Sequence, residues 1–141
     1  MYNNQITTQE QAVCHLFFHC CYKDGAFSQA EIKTVSDKLV TAGLHKDLNV
    51  KEEVMAYQSY RNEIVDETEY LSFLVQRIQP TNGLALFSYC VELCLSDAEM
   101  SPAEETLLGN LSAALDMEAA EKDAVQKLMV QRKVVETQKL F

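Results

Sequence analysis

Turn-forming residues are scarce: 141 residues hold only four glycines and two prolines. That is too little turn chemistry for a many-stranded β fold, and it points to helix. Positive charge is scarce as well. Twelve lysines and arginines stand against 21 aspartates and glutamates, a formal net charge of −9 with an isoelectric point near 4.7. This balance argues against nucleic acid or an anionic membrane surface as the main partner and suits cations or basic protein surfaces. No window approaches the roughly 18 uninterrupted apolar residues of a membrane span, so no integral membrane segment is expected. Met1 to Glu10 lacks both lysine or arginine and an apolar run, the marks of a secretory leader, and the expected location is cytoplasmic. Nucleophilic catalysis lacks its motifs, with no GxSxG and no glycine-rich phosphate loop. What remains is a chain with 48% hydrophobic and 23% charged residues, the balance of an ordinary globular domain spanning residues 1–141.

The chain repeats once. Asp24-Gly25-Ala26-Phe27-Ser28-Gln29-Ala30-Glu31 returns 73 residues later as Asp97-Ala98-Glu99-Met100-Ser101-Pro102-Ala103-Glu104. The preceding segments, from Ala12 to Lys23 and from Ala85 to Ser96, are apolar nearly all round. Their shared polar positions are His15, His19, Lys23 in one and Ser88, Glu92, Ser96 in the other. A spacing of i, i+4, i+8 is one narrow stripe on a helix, which belongs at the centre of a bundle.

Each repeated turn carries a helix start. Ser28 with Glu31, and Ser101 with Glu104, have the form of a capping box, and Pro102 directly after the cap suits helix entry. The helix after the first turn carries Ile32, Val35 and Leu39 and stops near Gly43. Its counterpart carries Leu107, Leu108, Leu111 and Leu115, with Gly109 as a point of close packing. Between the repeats, Asn49 with Glu52 opens a helix through Met55, Tyr60 and Ile64, and Asp66 with Glu69 marks either a further helix or a bend. Pro80-Thr81-Asn82-Gly83 is the clearest linker. After Asp116 a last helix runs through Ala120, Val125 and Leu128, and residues 134–141 read as helix or tail. The expectation is an all-α bundle of six to seven helices, formed by two pseudo-repeated helix-turn-helix halves at about 8–43 and 82–115.

Asp24 and Asp97 fall at or just past the ends of apolar helices, where the helix dipole is negative and a carboxylate is disfavoured. Two compensations are open. The turn's own N–H groups can take the carboxylate, or a bound cation can sit between Asp24 and Glu31 and between Asp97 and Glu104. A true EF-hand is excluded, because Cys20 and Tyr22, and Leu93 and Leu95, stand where its first oxygen ligands belong.

An apolar helix ending in Asp24-Gly25-Ala26-Phe27-Ser28 with Glu31 in the next helix, repeated around Asp97, Met100, Ser101 and Glu104, resembles the TerB-like superfamily of tellurite-resistance proteins. The resemblance runs from about Ala12 to Leu115. It implies a small helical bundle with an internal duplication and a divalent-metal site, calcium, magnesium or manganese, at Asp24, Glu31, Asp97 and Glu104. Ala98 departs from the pattern, which prefers glycine after the aspartate. The resemblance further implies a stress or tellurite-resistance role, in a family with no settled enzymatic activity.

Other constellations read as structural. His15 and His19 have zinc-ligand spacing, but Leu16 replaces the glutamate of the zincin motif and two ligands alone make no zinc site. Cys14, Cys20, Cys21, Cys90 and Cys94 lie among apolar residues without CxxC spacing and are expected reduced and buried. Glu63, Asp66, Glu67 and Glu69, and Asp116, Glu118, Glu121 and Asp123, are acidic stretches that suit helix starts or a docking surface for a protein partner. The functional expectation is a non-enzymatic TerB-like module with a weak cation site, or else a metal-free acidic protein-interaction or scaffold domain.

Overall fold

The computed structural model describes residues 2–22, 28–95, 100–138 and 140–141. Among them there are eight α-helices, one 3-10 turn and no strand: α1 (Tyr2–Gln5), α2 (Gln9–Tyr22), α3 (Gln29–Thr41), α4 (Val50–Tyr60), α5 (Glu67–Ile78), α6 (Gly83–Cys94), α7 (Pro102–Ala114) and α8 (Ala119–Thr137). The all-α expectation holds. The count exceeds six to seven because α1, a single turn, has neither a cap signature nor apolar periodicity to announce it. The chain forms two compact units, Met1–Gln79 and Pro80–Phe141, with the boundary at the Pro80 linker.

Caps decide where the helices begin. Ser28 Oγ accepts the Glu31 N–H at 3.1 Å while Glu31 Oε1 accepts the Ser28 N–H at 3.0 Å. Ser101 and Glu104 do the same at 3.2 and 2.8 Å. The two cap residues share one backbone conformation, φ −80°, ψ 160° and φ −72°, ψ 159°. Asn49, Asp66 and Asn82 cap α4, α5 and α6 through the N–H of Glu52, Glu69 and Ala85. Asp66 therefore starts a helix rather than a bend. Ile64 lies outside α4, which ends at Tyr60 and passes through a 3-10 turn, Arg61–Glu63, into extended backbone at Ile64.

Helix ends match as well. The Leu44 N–H reaches back to the Leu39 carbonyl at 2.9 Å across Gly43, and the Met117 N–H to the Ser112 carbonyl at 3.0 Å across Asp116. This is the Schellman closure, whose turning residue is left-handed: φ is +73° at Gly43 and +56° at Asp116. The two closures stand 73 residues apart, as the caps do. Gly109 is not a close approach, since a Cβ there meets nothing within 4 Å.

In the first unit α2 packs against α3, α4 and α5. Every residue from Ala12 to Cys21 is buried, the histidines included. α1 contacts α4 and lays the Tyr2 ring against Tyr60, Tyr70 and Phe73, and Gln9 Nε2 donates to the Ile78 carbonyl at 2.7 Å, tying the start of α2 to the end of α5. In the second unit α6 packs against α7 and α8. There Leu86, Phe87, Cys90, Val91 and Cys94 of α6 and Leu107, Leu108 and Leu111 of α7 are all buried. Burying each such leucine or phenylalanine contributes about 1.5–3 kcal/mol.

Candidate functional site

The predicted metal residues divide sharply. Glu31 and Glu104 are capping residues, each with Oε1 on the backbone N–H of its own serine, and Glu104 is buried whereas Glu31 is partly exposed. Asp24 and Asp97 lie outside the described residues. Divalent cations of the calcium class take about six to eight oxygens. From each corner the described residues contribute a single glutamate with one oxygen already committed. Among the described residues no group of three or more histidine, cysteine, aspartate or glutamate side chains is placed to hold a metal ion. Cys20 and Leu95, positions an EF-hand would need for oxygen ligands or their neighbours, are core residues.

A second constellation comes from the two histidines of α2. Each imidazole is bracketed by a glutamate at Nε2 and a tyrosine at Nδ1. His15 Nε2 lies 2.8 Å from Glu53 Oε1, and His15 Nδ1 lies 2.6 Å from the Tyr60 hydroxyl. One helical turn later His19 Nε2 lies 2.9 Å from Glu67 Oε2 and His19 Nδ1 lies 2.7 Å from the Tyr57 hydroxyl. Glu53, Tyr57 and Tyr60 share one face of α4 by their spacing, and Glu67 opens α5. The seam thus fastens α2 to both neighbours at once.

Proton directions follow from what each group can do. A carboxylate only accepts, so His15 Nε2–H donates to Glu53, whose other oxygen accepts from Gln11 Nε2 at 3.2 Å. Burial lowers the His15 pKa despite the attraction of Glu53, which keeps the ring neutral and makes Nδ1 an acceptor. Tyr60 must then donate to His15 and accept from Tyr70, whose hydroxyl is 2.6 Å away. Burial pushes the Tyr57, Tyr60 and Tyr70 pKa values upward, so all three phenols keep their protons. The chain Tyr70 to Tyr60 to His15 to Glu53 runs one way, every link satisfied. Protonating His15 turns Nδ1 into a donor and reverses the tyrosine links.

His15 is fully enclosed and has no route to a substrate. His19 sits at the edge, in the wall of a cleft of about 400 Å³. Nearby, Arg61 lays its guanidinium 3.9 Å from the centre of the Tyr22 ring and donates to the Tyr22 carbonyl at 3.2 Å. The cysteines are interior, as expected, and burial drives the Cys14 thiol well above its ordinary pKa, opposite to a reactive thiol.

Sequence reasoning found both histidines but not their partners. The available signal was on α4: Glu53, Tyr57 and Tyr60 at i, i+4 and i+7 place polar atoms on a face that carries the helix into the core.

Apolar central helices, each followed by a serine-capped helix, define a small all-helical domain of the kind the repeated motif suggested. The chain belongs to the TerB family: residues 10–133 match the family described as tellurite resistance protein TerB. That match spans most of the chain and bears out the resemblance carried by the Asp24 and Asp97 motifs. No curated protein and no solved structure is significantly similar to it. Among the described residues no helix is long and apolar enough to cross a membrane.

Proposed function

We propose that this TerB-family chain is a non-enzymatic binding module whose two acidic corners hold a divalent cation weakly, Asp24 with Glu31 and Asp97 with Glu104, in a stress or tellurite-resistance role. The supporting observation is the identity of the two corners: a complete capping box in one backbone conformation, 73 residues apart, with an aspartate four positions before the serine in both copies. It also favours reading the two helix-turn-helix halves as a duplication. Weak affinity follows from the surroundings. The carbonyl end of the preceding helix attracts a cation, while the N–H end of the next repels it.

A metal-free acidic surface for a basic protein partner is the second reading. It is favoured by the commitment of Glu31 and Glu104 to their caps. Calorimetric titration of the chelator-treated protein with calcium, magnesium and manganese separates the two. The first reading predicts heat of binding that disappears in the Asp24→Asn, Asp97→Asn double variant; silent titrations contradict it.

A further inference from the structure

The cleft beside His19 has a chemistry that neither the corners nor the seam uses. Its walls include Tyr22, Tyr57, Arg61, Val65 and Glu67. Arg61 is half-buried, and among the described residues no carboxylate forms an ion pair with it. In a chain with a net charge of −9 that is an unusual state for a guanidinium. Nor is the group loose. The Tyr22 ring fixes its plane, the Tyr22 carbonyl takes one N–H and the Tyr57 hydroxyl lies against the group, so the rest of the guanidinium fork is preorganised to receive a planar anion. Beside it the backbone runs extended through Ile64, and Val65 is 98% exposed, an apolar lip at the same cleft.

We propose that this cleft binds a small organic carboxylate: the carboxylate on the Arg61 fork, an apolar body against the Tyr22 ring and Val65. Glu67, held on His19, lines the same cleft, and its carboxylate disfavours a ligand that carries a second negative charge. Inorganic oxyanions lack the apolar body and, as dianions, are repelled by Glu67. The size of the cleft, about 400 Å³, accommodates a molecule the size of benzoate with room for substituents.

Benzoate is a suitable probe, with inorganic phosphate as the control anion. Titrating the isotopically labelled full chain under nuclear magnetic resonance, we expect saturable benzoate shifts at the Arg61 side chain, the His19 ring and the Val65 methyls, and none that saturate with phosphate. Arg61→Gln should weaken benzoate binding about tenfold or more, the loss of a charge-assisted hydrogen-bonded pair. Val65→Ser, at a surface position that does not endanger folding, should weaken it about threefold or more, the loss of apolar contact. Arg77→Gln, which alters the other arginine resting on an aromatic ring, should leave it unchanged. The proposal is overturned if benzoate gives no saturable shifts, if phosphate binds as tightly, or if binding survives both Arg61→Gln and Val65→Ser undiminished.

Discussion

The central helices α2 and α6 each precede one of two serine caps 73 residues apart, yet their polar stripes are treated differently. In α2 the stripe is His15 and His19, buried beneath α4 and α5 and tied at both ring nitrogens. In α6 the equivalent positions are Ser88, which bonds its own helix at the Ala85 carbonyl, and Glu92, which is exposed. The difference lies in what is packed on top. A helix covered on three sides must neutralise every polar atom it carries, whereas one packed against two helices keeps its stripe nearer solvent, as half-buried Ser88 and exposed Glu92 do.

The largest expected contrast comes from the tyrosine in the middle of the seam. Tyr60→Phe strands both His15 Nδ1 and the Tyr70 hydroxyl and should cost about 2–4 kcal/mol in urea unfolding. Ser88→Ala, on the matching helix, should cost about 0.5 kcal/mol or less. Equal losses would erase the distinction between the two helices.

Acid sharpens the same contrast. His15 has a lowered pKa in the fold, while the unfolded chain takes up that proton near the ordinary value of 6.5. The unfolded state then binds more protons below that pH. Stability from this group is complete above about pH 6.5 and is lost as pH falls, until the folded ring itself protonates. Native-state hydrogen exchange at decreasing pH should therefore report loss of protection in α2, α4 and α5 before α6 and α7. Uniform loss would place the sensitivity elsewhere.

The corners should behave alike. Ser28→Ala and Ser101→Ala are each expected to cost about 1 kcal/mol by thermal or urea unfolding, since each removes the same cap. The smallest effect concerns the closures. Asp116→Gly should stabilise by about 0.5 kcal/mol, because glycine relieves the left-handed turn that Gly43 already makes without strain.

The caps and the linker were legible because their signals are local: Ser28 and Glu31 are three residues apart, and the turn needs nothing distant. The seam was not, since His15 meets Glu53 and Tyr60 across 38 and 45 residues, and no periodicity on α2 says which neighbour will cover its stripe. The motif at Gly109 misled for a related reason. A glycine inside a helix signals close approach only when another element is brought there by the fold, and among the described residues nothing comes within 4 Å of a Cβ at Gly109. Of the four metal residues foreseen from the repeat, Glu31 and Glu104 could also be read as caps, and that is the role in which they are found.

The functional account rests on a cation at the acidic corners, and thermal melting against rising manganese or calcium tests it most directly. A ligand that binds only the folded chain adds about 1.4 kcal/mol at ten times its Kd, a rise in Tm of about 3–8 °C. The account predicts that rise in the native sequence and its absence in the Asp24→Asn, Asp97→Asn double variant. A Tm that stays constant through millimolar cation in the native sequence, or that rises equally in the double variant, contradicts it.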